Sequence, residues 1–278
     1  GPYSGGLLGA KGDYFLSAKI AVAGSLLAAG LSCLLPSDIG TASSQRKDSS
    51  DENGKTKKVV HEEMPLSRRV STVFEVAGFL ILVKLLTSIA NSMASSSQAL
   101  ILKNTLGFSE ADMGFFMSAQ FAFGGFANGF LLAPVTRLLG GKANSVVRNC
   151  IAIMGVGYIL QAMLGSSSSA AVDGVSRQSP YVFIAIAMLL SIFQYSLGTS
   201  ITAETTQMVP EDMKGTLIGM EHGIFSAARI FTPSIGTSIL NSAGVSALYM
   251  ACASIFFSVL GLWTALGSRL LPREVKDR

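Results

Sequence analysis

The chain has 278 residues, 49% of them hydrophobic and only 14% charged, with a mean hydropathy of +0.49. Soluble domains carry roughly one-quarter charged residues, so this composition excludes an ordinary water-soluble fold and places the chain in lipid. The net charge of +4 is small and assigns no nucleic-acid partner.

Apolar blocks of about 20 residues, enough to cross roughly 30 Å of hydrocarbon at 1.5 Å per helical residue, recur along the chain. They predict seven transmembrane helices: A, Phe15 to Leu35; B, Thr72 to Met93; C, Met113 to Ala133; D, Val146 to Leu164; E, Tyr181 to Ser200; F, Gly215 to Leu240; and G, Val245 to Gly267. The fold class is therefore an all-α membrane protein. Three regions follow: 1–35 with helix A, a polar linker over 36–71, and a six-helix bundle over 72–278. The linker is rich in Ser, Lys, Asp and Glu and nearly free of aromatics. Such a stretch cannot bury enough surface to fold alone and reads as a disordered tether.

The segments alternate sides. The linker, the loops after C and E and the C-terminal tail together hold 15 basic residues, against Lys11, Lys103 and Arg177 on the opposite side. Short cytoplasmic loops collect Lys and Arg, so the linker and the C-terminus are expected in the cytoplasm. Neither the plasma membrane nor an endomembrane is favoured.

Polar residues inside an apolar helix are expected to line a water-filled cavity or to find a partner. Helix B carries Lys84 near its middle, and Ser88, Asn91, Ser95 and Gln98 follow at +4, +7, +11 and +14. These share one helix face. Lys84, Ser88 and Asn91 are read as lining a substrate pathway, with Leu80 facing lipid. The alternative is a structural Lys bonded to a neighbour's carbonyls. Helix E offers Gln194 and Tyr195 to the same pathway. Because B and E hold the most polar groups, they rank as inner helices, C and F as intermediate, and A, D and G as outer.

Helix F aligns His222, Ser226, Arg229 and Pro233 on one face, with Glu221 one residue away. A guanidinium stays charged, so Arg229 is a fixed cation. Glu221 and His222 are the groups able to exchange protons, and with Arg229 they form the coupling candidates. Alternatively, Glu221 and His222 snorkel to water at the cytoplasmic boundary. Small residues four apart, Gly215, Gly219 and Gly223 on F and Gly125 and Gly129 on C, allow close helix approach. No Walker loop, GxSxG or HExxH occurs, and no Cys pair stands at ligand spacing. No enzymatic activity, cofactor or metal is expected.

Four stretches resemble a known family. Gly1-Pro2-Tyr3-Ser4-Gly5-Gly6 is similar to the GPxxGG end of the fifth-helix motif of proton-coupled drug antiporters in the major facilitator superfamily. Leu106-Gly107-Phe108-Ser109 resembles the approach to that family's helix eight. Pro134 to Lys142, with Arg137 and Gly140, resembles the loop that repeats the GxLaDrxGrk signature, but it lacks the Asp. Val209 to Gly219, followed by Arg229 and Pro233, resembles the approach to helix eleven in the tetracycline-type branch, whose organic cation transporter-like members look most similar. The resemblance implies that A to G are helices six to twelve and that about four and a half helices of an N-terminal half precede them. It implies alternating-access transport of a small organic solute coupled to protons as antiport. Helices eight and eleven would then face the N-terminal half across their glycine stripes. A seven-helix receptor and a non-transporting scaffold of the same fold remain as alternatives.

Overall fold

The computed structural model describes residues 65–169 and 180–267, together with Lys19, Val22, Ala23, Gly24, Leu26, Leu27 and Gly30 of segment A. The expectations for the rest of segment A, for linker residues 36–64, and for the motif residues Gly1, Pro2, Gly5 and Gly6 lie outside the described residues, whereas 66–71, read as the end of a disordered linker, are the first turns of a helix.

The described residues form helices and no strand. Five of the helices are long and apolar enough to cross a membrane, the coarse architecture of an integral membrane protein. Helix α1 spans Leu66–Asn104, α2 Glu110–Phe126, α3 Leu132–Leu138, α4 Ala143–Ser169, α5 Pro180–Met208 and α6 Lys214–Leu262. A π-helical turn over Ala127–Leu131 joins α2 to α3, so the two make one span. This widened turn lies just ahead of Pro134, whose ring crowds the carbonyl four residues back and cannot donate to it. At 39 residues α1 is about 58 Å long, well beyond the 22 residues read as segment B.

Local chemistry sets the breaks. After α1 the chain turns at Gly107, where φ is 70°. Ser109 then caps α2: its hydroxyl accepts from the Asp112 N–H, while the Asp112 carboxylate accepts from the Ser109 N–H, a reciprocal capping box. The turn after α3 uses Gly140 and Gly141 at φ 112° and 69°, closed by the Gly141 N–H donating to the Thr136 carbonyl and the Asn149 amide donating to the Leu139 carbonyl.

Segments F and G occur within one hydrogen-bonded run, interrupted only at Gly244, whose φ of 82° and ψ of −179° suit glycine alone. Contacts with α1 give the direction of each arm. Glu221 meets Lys84 and Gly236 lies against Met93, so the first arm runs parallel to α1. Cys252 meets Ala90 and Trp263 stacks on Phe79, so the second arm runs antiparallel. The chain therefore reverses at Gly244. Helix α5 also opposes α1, because Thr202 pairs with Lys84, while the Asn91 end of α1 shares a cavity with Gln194.

The main core lies among α1, α4, α5 and the second arm of α6, centred on Tyr158, Tyr249, Phe256 and Phe183 with ring centroids 5.5–5.9 Å apart. A smaller cluster joins Val73, Ala77 and Ile81 of α1 to Val209, Met213 and Leu217. Lipid is as apolar as Leu, so close packing and interhelical hydrogen bonds must hold such a bundle. Helix α4 illustrates this and corrects the ranking of D as an outer helix. Its apolar window is 56% buried, against 17% for the α2–α3 span. Gly155, Gly157 and Gly165 leave room for Phe257, Leu190 and Val245 to pack against its backbone. Low polarity in D therefore serves tight packing on one side, while Val156, Leu160 and Met163 are exposed on the other. Leu80, expected to face lipid, is likewise in the core at 1% exposure, whereas Leu82 is 46% exposed.

Candidate functional site

The buried positions on the first arm of α6 include Leu217, Glu221, Thr232 and Gly236, and the 4-residue steps put them on the face that meets α1. Gly236 brings the backbones together: a Cβ there would stand 3.0 Å from the Met93 carbonyl oxygen. Nearer the start of the helix, the same stripe carries Glu221 against Lys84.

Lys84 Nζ donates to Glu221 Oε2 at 2.5 Å and to Thr202 Oγ1 at 2.9 Å, and lies 5.2 Å from the centroid of the Phe225 ring. Three helices thus converge on one ammonium. The two charged side chains are 16% and 8% exposed. Glu221 Oε1 is buried with no hydrogen-bond partner among the described residues. A half-satisfied carboxylate in an ion pair is the arrangement in which low dielectric raises the stakes of every remaining bond. This placement corrects the reading of Glu221 as a residue snorkelling to water, and the partner of Lys84 is a carboxylate and a hydroxyl, not backbone carbonyls.

Around the pair lie two cavities of about 440 and 290 Å³. Both are lined by Lys84, Ser88, Ser92 and Arg229. The larger also has Glu221, His222 and Ser226 in its wall, and the smaller has Asn91, Ser95 and Gln194. A third space of about 50 Å³ continues past Asn91 and Ser95 to Gln98, Gln120 and Gln161. The residues of the α1 face, Lys84 through Gln98, therefore border one chain of adjoining spaces. His222, Ser226 and Arg229 are exposed, and none of the described ion pairs includes Arg229.

Two of the residues expected in the pathway have structural partners. Asn91 Oδ1 accepts from the Tyr158 hydroxyl at 2.7 Å, tying α1 to α4. Tyr195, expected beside Gln194 as an aromatic wall, turns onto α2 instead: a Cβ at Gly124 would lie 2.6 Å from its Cε2. It is absent from the walls of the three spaces. The reason is geometric, since adjacent residues on a helix point about 100° apart. Gly124, not Gly125 or Gly129, is thus the close-approach glycine of α2. At Gly125, Gly129, Gly215, Gly219 and Gly223 a Cβ would meet nothing within 4 Å. Arg137 is exposed in the last turn of α3.

Thr202, Phe225 and Ser92 were not singled out from sequence. Thr202 lies two residues past the end of segment E as read from sequence, but Gln194, Gly198 and Thr202 fall four apart, a spacing that extends the same face into the longer α5. Compared with protein-family models, curated proteins and solved structures, the chain matches none.

Proposed function

We propose that this chain is part of a secondary transporter that moves a small organic solute by alternating access, built like the C-terminal part of a major facilitator protein with seven transmembrane helices. The observation that carries this reading is the row of adjoining spaces along the polar face of α1, between helices that are otherwise apolar. Placing Lys84, Glu221 and Arg229 within a membrane bundle is expensive unless water, a partner or a ligand meets them, so intramembrane charges at a cavity favour a pathway over a scaffold. Glu221, an ionisable side chain paired with Lys84 in the wall of the larger cavity, is the residue assigned to coupling. The open glycine faces of α2 and α6 are the surface against which a second helical half packs, and the excess of basic residues supports a cytoplasmic linker and C-terminus.

Sided labelling tests the proposal whatever the solute. Single cysteines at Ser92 and Ser226 of the full-length protein are treated with a membrane-impermeant thiol reagent from one face and then the other. Transport predicts labelling from both faces, in a ratio that shifts with conditions. Labelling from one face under every condition describes a static vestibule and ends the proposal.

A further inference from the structure

Among the described residues, the charges around the two larger cavities do not balance. Their ionisable lining residues are Lys84, Glu221, His222 and Arg229. Lys84 and Glu221 neutralise each other at 2.5 Å. Arg229 faces both cavities, and no carboxylate among the described residues pairs with it. Among the described residues, Arg229 is thus a fixed cation of the site that no carboxylate compensates.

We infer that the cargo is a monovalent organic anion whose anionic group docks on Arg229. A guanidinium offers a rigid fork of N–H donors that matches a carboxylate in a bidentate, charge-assisted contact. One negative charge compensates Arg229, which removes the main obstacle to enclosing it in a low-dielectric bundle. A cation doubles the imbalance, and a dianion reverses it. The rest of the wall suits an organic body: Phe225 and Ile218 supply apolar surface, while Ser88, Ser92 and Ser226 supply hydroxyls. This inference rests on the pathway reading of the cavities. It also departs from the cationic cargo that the drug-antiporter resemblance suggests.

The test is equilibrium binding to the purified full-length protein in nanodiscs, using three probes of one shape: benzoate, benzamide and benzylammonium. Benzoate should bind saturably, benzamide about tenfold more weakly or worse, and benzylammonium not measurably, since a tenfold change reflects only about 1.4 kcal/mol, less than a charge-assisted bond supplies. Arg229→Gln should lose benzoate binding by about tenfold or more, whereas Arg229→Lys should retain part of it. Thermal unfolding of each variant checks that it is folded, as expected for an exposed position. Benzylammonium binding in place of benzoate, undiminished benzoate binding in Arg229→Gln, or no saturable binding of any probe to the folded protein overturns the inference. Benzoate binding combined with one-sided labelling retains the anion site and removes transport.

Discussion

Replacing Lys84 by Met leaves Glu221, 8% exposed, with no hydrogen-bond donor at either oxygen among the described residues, because Oε1 already lacks one. Replacing Glu221 by Leu leaves Lys84 with the Thr202 hydroxyl and the Phe225 ring. Removing one member of a buried ion pair costs about 3–5 kcal/mol, roughly a 10²- to 10⁴-fold shift in the folding equilibrium. The residual cation–π contact is worth about 0.5–2 kcal/mol, so Lys84→Met should be the costlier change. Removing both charges is often neutral, so the double variant should fall within about 1 kcal/mol of the parent. A double-mutant cycle, measured by reversible unfolding in mixed micelles, should give a coupling of about 3 kcal/mol or more. Singles that add to the double within about 0.5 kcal/mol would show that the charges do not pair.

The glycines separate into close contacts and open faces. Gly236→Ala drives a methyl to 3.0 Å from the Met93 carbonyl oxygen and 3.2 Å from its Cα; it should destabilise by about 1–3 kcal/mol in thermal unfolding. Gly223→Ala meets nothing within 4 Å inside this chain; in the chain by itself, without the second half proposed to pack there, it should raise stability by up to about 1 kcal/mol in the same assay, because glycine is the poorer helix former. Gly244→Ala faces open space but a φ of 82°, so its loss of about 1–3 kcal/mol should come from backbone strain alone. Asn91→Ala strands the Tyr158 hydroxyl, 5% exposed, and should destabilise by about 1–3 kcal/mol, while Tyr158→Phe combined with it should recover part of that loss.

Much of the architecture was legible because lipid imposes simple rules. Segments B to G each fall within helices, although α1 extends well beyond segment B and F and G share one run broken at Gly244, and the α1 polar face follows from helical spacing alone. The errors arose where a sequence pattern has two physical meanings. Helix D lacks charge, which fits lipid exposure and dry packing equally, and only the partners of Gly155, Gly157 and Gly165 distinguish them. Leu80 and Leu82 stand two residues apart and meet opposite fates, a difference set by where α4 and α6 stand. Glu221 looked like a boundary charge because it is two turns from the start of F. Its burial depends on Lys84, 137 residues away in sequence. A periodic stripe through Leu217, Glu221, Thr232 and Gly236 was nonetheless visible and would have put it on the packed face.

A scan of single cysteines along α1 from Leu82 to Gln98, in a background lacking Cys33, Cys150 and Cys252, tests most directly whether water fills the spaces along this face. The protein is reconstituted in bilayers and treated with a water-soluble thiol reagent. The account predicts labelling maxima at 84, 88, 91, 92 and 95, with minima at Leu82 on the exposed apolar face and at Val83 and Ala90 of the core. Labelling that simply declines from the helix ends toward its centre, with Ser88 as protected as Leu82, would contradict it.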